Sequence, residues 1–190
     1  MTGREKIPLL IEALVEEAET KGLHPNKTYI QKALYLFQEA FGIDLGIESF
    51  PYIYGPYSPD SALLTSLTEA RGLISISFDP EGYGVHINST EKGKALRKDL
   101  DGETAGRVTK LVEVFAKAHR KIKEILPEFS WSEAKLWELI ASVHYIKKHD
   151  ETNDPAKIRA ALLRWKPHFK GADVEKVLDL LDLLDPLKEL

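Results

Sequence analysis

The chain has 190 residues, of which 43% are apolar, and a net charge of −4 at pH 7. These values allow a sizeable core in one domain or two small ones and argue against a strongly basic nucleic-acid binder. Cysteine is absent, which excludes disulfides, thiolate metal sites and cysteine nucleophiles. With no leader pattern and no apolar run near ~18 residues, we expect a cytoplasmic protein that does not associate with membranes.

Two amphipathic helices are predicted at the start of the chain. The first covers residues 5–21, where apolar side chains recur at helical spacing opposite glutamates. The second begins at a capping box, with Thr28 as its N-cap and Gln31 three residues later, and it ends at Gly42.

Residues 49–61, here called the aromatic segment, contain four aromatic residues and three prolines. A short strand is predicted within residues 47–54, followed by a turn that Gly55 permits. Ser58 is a good N-cap for a helix over residues 59–71. A solvated loop does not need so many rings, so we expect the tyrosines of this segment to pack against the second helix.

A β-hairpin is predicted over residues 73–87, where apolar and polar residues alternate on both sides of a turn at 79–82. Ser89 or Thr90 caps the next helix, in which Gly93 is unfavourable by roughly 1 kcal/mol relative to alanine. Helix, helix, short strand, helix and hairpin is the order of a winged helix. The predicted fold class is mainly α with a small antiparallel β-hairpin, or wing. A winged-helix-like N-terminal half is followed by a helical C-terminal half.

The boundary between the two halves is predicted at Asp101-Gly102. A winged-helix-like module, 1–101, would pack against a helical region, 102–190, or the two would form one continuous domain. The last predicted helix, 172–184, is apolar on two faces. If the core uses one of these faces, the other is free to bind a protein partner. That partner could be a second copy of the chain, which would make a homodimer. Three other helices of this half are predicted over residues 108–125, 131–147 and 155–165.

Several segments resemble a known family. Lys27-Thr-Tyr-Ile-Gln-Lys-Ala-Leu-Tyr-Leu-Phe, followed by Tyr52-Ile-Tyr-Gly-Pro-Tyr-Ser-Pro-Asp, resembles the YwgA-like proteins of bacteria and archaea. Leu136-Trp-Glu-Leu-Ile-Ala-Ser-Val-His-Tyr-Ile and Lys166-Pro-His-Phe resemble that family's later segments. The Tyr-Gly-Pro core is more loosely similar to the Panacea (SocA-like) antitoxin and protease-adaptor domains. The resemblance implies a fold and a buried motif, and it implies no catalysed reaction.

One candidate binding site combines a helix with the aromatic segment. Tyr35 lies one helical turn from both Gln31 and Lys32. A small polar site would be completed by Tyr54, Tyr57 and Ser58. The favoured alternative is a hydrogen-bonded scaffold that holds the aromatic segment. Tyrosines here could also clasp a peptide or stack bases, although stacking sites normally have basic neighbours.

A second candidate is the basic turn Lys166-Pro-His168-Phe-Lys170. It would contact phosphate or an acidic partner, or it would be a packed helix–helix connection, which we favour. His144 lies on an apolar helical face, where a histidine is usually part of the core. No metal-ligand pairing, nucleotide loop or cofactor fingerprint is present, so no metal site or cofactor is predicted.

The leading functional hypothesis is a non-enzymatic, cytoplasmic interaction protein that acts through protein–protein contacts. The second is a nucleic-acid-binding transcriptional or antitoxin-like regulator, which needs a positive patch joining Lys166, Lys170 or the cluster at Arg120 to the wing. The third is an enzyme centred on Lys32, Tyr35 and Tyr54, which needs a pocket beside all three residues.

Overall fold

The computed structural model describes residues 4–78, 84–125 and 133–169, together with Glu175 and Leu178. Over these residues the chain is mainly helical and contains two small antiparallel hairpins, which confirms the predicted fold class. Short 3-10 turns at 4–6 and 97–99 accompany the main elements. In chain order these are α1 (Ile7–Thr20), α2 (Lys27–Phe41), β1 (Phe50–Tyr52), β2 (Gly55–Tyr57), α3 (Pro59–Ala70), β3 (Ile74–Phe78), β4 (Val85–Ser89), α4 (Glu91–Leu96), α5 (Gly102–Ile125), α6 (Glu133–His149) and α7 (Pro155–Trp165).

The core is built around α1 and α2. Helix α1 packs against α3 and α5, and α2 packs against α3 and α6. Tyr29 of α2 lies at the centre, with its ring against Phe115 of α5 and Trp137 of α6 and its hydroxyl donating to the Leu14 carbonyl at 2.9 Å. One buried apolar cluster therefore includes residues from both sides of Asp101-Gly102. The division at that point stays a prediction.

The aromatic segment folds differently from the single short strand predicted within 47–54. Strands β1 and β2 pair antiparallel, with Phe50 opposite Tyr57 and Tyr52 opposite Gly55, so the chain reverses at Ile53-Tyr54. Gly55 has a φ of +91° just after this turn, which other residues rarely adopt. The segment is thus a tight hairpin that leads directly into α3.

The second hairpin, formed by β3 and β4, shows the predicted alternation of apolar and polar residues. Ile74 lies opposite Ser89 and Phe78 opposite Val85, and the alternation places Ile74, Ile76 and Phe78 on the same face of β3. The predicted tip at 79–82 lies outside the described residues.

The start of α2 corrects the predicted capping box. Asn26 is the N-cap, because its backbone is extended and its side chain accepts a hydrogen bond from the Tyr29 N–H at 2.9 Å. Thr28 lies inside the first turn, so it has no capping role. Gln31 is consequently free of the cap, and its amide is used elsewhere.

This correction gives a testable pair of substitutions. Asn26→Ala is expected to lower the free energy of unfolding by about 1 kcal/mol, because it removes a capping acceptor. Thr28→Ala is expected to change it by less than about 0.5 kcal/mol. Urea denaturation of both variants checks this, and a larger loss from Thr28→Ala would show that the capping box is correct after all.

The caps of the next two helices agree with prediction. Ser58 caps α3 through the Ser61 N–H, and Thr90, one of the two candidates, caps α4 through the Gly93 N–H at 3.0 Å. The last predicted helix, 172–184, and with it the proposed dimer contact, lie outside the described residues apart from Glu175 and Leu178. Across the described helices, none has the length and apolarity required to cross a membrane.

Candidate functional site

The β1–β2 hairpin is joined to α2 by two adjacent side chains. The Gln31 amide pairs with the backbone of Ser58: its Nε2 donates to the Ser58 carbonyl at 3.0 Å, and its Oε1 accepts from the Ser58 N–H at 2.9 Å. The Lys32 ammonium donates to the Pro56 carbonyl at 2.7 Å. All four groups are buried, so these bonds fix where the hairpin ends and α3 begins.

A second lysine holds the other end of the hairpin. Lys166, just after α7, donates to the carbonyls of Tyr52, at 2.7 Å, and Ile53. Its Nζ also lies 3.3 Å from Glu138 Oε1 on α6, and His168 Nε2 lies 3.1 Å from the same oxygen. We call Gln31, Lys32, Glu138 and Lys166 the clasp, because together they fasten the hairpin to the helices.

The basic turn at 166–170 is therefore a packed connection over the residues described. Lys166 is fully buried, so it contributes nothing to a positive surface patch. His168 is exposed over 39% of its side chain and lies edge-on to the Tyr54 ring. Lys170 lies outside the described residues.

Gly55 shows how closely the hairpin approaches the helices. A Cβ at this position would lie 3.0 Å from Ser142 Oγ on α6 and 3.1 Å from Lys32 Cε on α2. Such distances are tighter than ordinary van der Waals contact, and the positive φ adds strain for any other residue. Glycine is thus required by both the turn and the packing.

The clasp places two ammonium groups around one carboxylate. Burial, reinforced by the positive charge of Lys166 and opposed by Glu138, lowers the pKa of Lys32 to about 7. Burial also lowers the pKa of Lys166, and the adjacent Glu138 carboxylate counteracts part of that effect. When both lysines are protonated, this trio carries a net positive charge in the interior.

The lowered pKa of Lys32 predicts a pH dependence of stability. Between about pH 7 and pH 10, the unfolded chain holds the Lys32 proton and the folded chain has released it. Stability therefore rises with pH through this window. Lys32→Met removes this contribution. The stability difference between wild type and Lys32→Met should thus grow in favour of wild type by about 2 kcal/mol from pH 7 to pH 9.

Urea denaturation at both pH values measures this difference. Lys110→Met, which changes an exposed lysine on α5, serves as the control and should show a pH-independent difference. A flat difference for Lys32→Met would show that the buried ammonium keeps an ordinary pKa.

The expectation that the tyrosines pack against α2 is wrong for two of them. Tyr52 is 53% exposed and Tyr54 is 59% exposed. Tyr57 is half-buried, with its ring centroid 5.2 Å from that of Tyr52. Lysines from the helical part of the chain bind backbone carbonyls of the hairpin. The rings of Tyr52 and Tyr54 stay largely exposed to solvent.

A cavity of about 290 Å³ lies between α2, the β1–β2 hairpin, α3 and β3. Three tyrosines and two lysines line it, and no aspartate or glutamate is among its lining residues in the described part of the chain. The lining residues are Lys27, Thr28, Gln31, Lys32, Tyr52, Tyr54, Tyr57, Ala62, Thr65, Ser66 and Ile76. This cavity is the candidate binding site.

Exposed large hydrophobic side chains are concentrated in the part of the chain that also lines the cavity. Within the described part of the chain, every large hydrophobic side chain that is exposed belongs to residues 50–78. These side chains are Phe50, Tyr52, Ile53, Tyr54, Leu63, Leu67 and Phe78. We call this surface the 50–78 face. It combines the first hairpin, the outer side of α3 and the exposed end of β3.

The structure divides the predicted site residues into separate groups. Tyr35 is buried and is not one of the residues lining the cavity. Its hydroxyl lies 2.9 Å from His144 Nδ1 on α6. Burial raises its pKa. Lys32 and Tyr54 do line the cavity, so the pocket required by the enzyme hypothesis is present beside two of its three residues. Among the described residues, no group of three histidine, aspartate or glutamate side chains could hold a metal ion.

Glu138 is the clasp residue that sequence reasoning missed. It lies within α6, where most neighbouring residues are buried and apolar, and it is 3% exposed. A carboxylate in such a position needs a buried cation. From the sequence, this requirement could have predicted that Glu138 has a buried cationic partner, but it could not have identified that partner as Lys166.

Comparison with protein-family models and with curated proteins finds no match for this chain. The resemblance to the YwgA-like proteins therefore stays a prediction.

Proposed function

We propose that this protein is a non-enzymatic interaction protein of the cytoplasm that binds a partner polypeptide on the 50–78 face. The observation that supports this proposal is that the exposed large hydrophobic side chains of the described residues all lie within residues 50–78. Exposed apolar side chains that form a contiguous patch mark interaction sites more often than ordinary protein surface does.

The cavity supplies the place for an anchoring side chain. Its volume of about 290 Å³ is near the lower end of the ~300–1,000 Å³ that small-molecule sites span. It therefore suits one inserted residue of a partner, with Tyr52, Tyr54 and Leu63 packing around the entrance. Such central anchors carry most of the binding energy in protein interfaces.

The clasp supports the same proposal through preorganisation. Gln31, Lys32 and Lys166 hold five backbone groups of the hairpin and its exit. The exposed rings are consequently mounted on a fixed backbone, which reduces the ordering cost of binding.

Nucleic-acid binding remains the second hypothesis, with weaker support. The outer side of α3, which would enter the major groove in a winged helix, presents Leu63 and Leu67 rather than basic side chains. Lys166, one expected part of a positive patch, is buried.

The proposal is tested by comparing what matched variants capture after chemical cross-linking in extracts of the source cells. Leu63→Asp and Phe78→Asp place a charge on the 50–78 face. Ala95→Asp places the same charge on an exposed apolar position of α4. A partner retained by wild type and Ala95→Asp but lost by both face variants is the expected result. A partner kept by all variants, or a strict monomer in sedimentation that recovers no partner, would count against the proposal.

A further inference from the structure

Two lysines line the cavity, and the buried one, Lys32, has hydrogen-bonding capacity that its described contacts do not use. Lys166 has the Glu138 carboxylate and two carbonyls as partners. For Lys32, the described residues provide one hydrogen-bond acceptor, the Pro56 carbonyl. Since an ammonium has three N–H donors, Lys32 can bind a further acceptor, and it forms part of the cavity lining.

The charges around the cavity indicate the sign of that acceptor. Among the described residues, the charged members of the lining are Lys27 and Lys32, and the one carboxylate of the clasp, Glu138, is shared by Lys166 and His168. A carboxylate in the cavity would give the second buried lysine a counterion of its own. Pairing of this kind is what a buried ammonium requires.

The walls indicate what must accompany the carboxylate. Tyr52, Tyr54, Tyr57, Ala62 and Ile76 provide a largely apolar enclosure. The complementary occupant is therefore an apolar body that carries a carboxylate within a few ångströms.

We propose that the cavity binds the C-terminal residue of the partner polypeptide, an apolar residue whose free carboxylate pairs with Lys32. This inference rests on the proposed function and specifies its partner. A chain end supplies the apolar side chain and the carboxylate in one residue. An internal aspartate or glutamate would supply the carboxylate without the apolar body. It would also bring two flanking peptide units into the largely apolar enclosure, whereas a chain end brings one.

Fluorescence anisotropy with labelled hexapeptides tests the proposal. The probes are fluorescein-Gly-Ser-Gly-Ser-Gly-Leu and the same peptide ending in Phe, each as a free acid and as a C-terminal amide. The free acids are expected to bind at least tenfold more tightly than the amides. Lys32→Met should remove that difference, whereas Lys110→Met should leave it unchanged.

A second variant keeps the test decisive if Lys32→Met fails to fold. Ser66→Trp fills the cavity from the exposed side of α3 and leaves all four clasp residues unchanged, and it should abolish binding of the free acids. Equal binding of acids and amides, or no binding of either, would overturn the chain-end proposal. So would equal binding of an amidated peptide with an internal glutamate, Gly-Ser-Glu-Gly-Ser-Gly. The capture experiment with Leu63→Asp and Phe78→Asp tests the proposed function separately. The chain-end proposal can therefore fail while the proposed function holds, and the reverse is also possible.

Discussion

Glu138→Gln is expected to lower the free energy of unfolding by about 3 kcal/mol, although glutamine has nearly the same shape as glutamate. The Glu138 carboxylate lies 3.3 Å from the buried Lys166 ammonium and also moderates the positive charge felt by Lys32. Removing one member of a buried ion pair leaves the other charge uncompensated, and measured losses of this kind are about 3–5 kcal/mol.

The control for this prediction is Glu113→Gln. Glu113 forms an ion pair with Lys21 but is 56% exposed, so its replacement should cost less than about 1 kcal/mol. A double-mutant cycle between Glu138→Gln and Lys166→Met should give a coupling energy above about 1 kcal/mol. Additive losses, or equal losses from Glu113→Gln and Glu138→Gln, would show that the clasp is not an energetic unit.

Gly93→Ala is expected to destabilise the fold by more than about 3 kcal/mol or to prevent folding, even though alanine is the better helix former. Gly93 lies on α4 and faces the carbonyl of Leu73, just before β3, and the side chain of Glu12 on α1. A Cβ there would overlap the Leu73 carbonyl oxygen and would lie 2.6 Å from Glu12 Cγ. Because the Leu73 oxygen is backbone, it can give way only if α4 moves, and overpacking of this kind is strongly unfavourable.

Gly106→Ala provides a control of opposite sign. Gly106 is an exposed position of α5, and nothing lies within 4 Å of where its Cβ would be. This substitution should stabilise the protein by up to about 1 kcal/mol through helix propensity. Thermal and urea denaturation of both variants measure the contrast. A neutral or stabilising Gly93→Ala would mean that α4 does not lie against Leu73 and Glu12 as described.

Local patterns were sufficient to predict most of the architecture. Ser58 and Thr90 have the chemistry of N-caps, and the alternation after Gly72 is typical of a hairpin. Each of these signals depends on residues close together in the chain. The same reasoning failed at Thr28, because Asn26 offered an equally good cap two residues earlier. Gly93 was judged only by helix propensity, because its contact with Leu73 depends on tertiary packing that no local pattern shows.

The candidate site was predicted only in part. The sequence indicated that Gln31 and Lys32 belong with the aromatic segment, and this is where they lie. It did not indicate that Lys166, 114 residues from Tyr52, would hold the other end of the hairpin. The hairpin is held by hydrogen bonds from buried lysines to its backbone carbonyls. Packing of the tyrosine rings is not needed to hold it, and Tyr52 and Tyr54 are exposed. Long-range pairing of this kind has no local pattern from which to predict it.

Site-specific photo-cross-linking tests the central claim, that the 50–78 face binds a polypeptide, most directly. A benzophenone amino acid replaces Tyr54 at the cavity entrance in one variant and the exposed Arg120 of α5 in the control. On illumination in the source cells, we expect a discrete cross-linked polypeptide from position 54, absent from position 120 and lost when Ser66→Trp is added. Cross-links of equal yield from both positions, or none from position 54, would contradict the account.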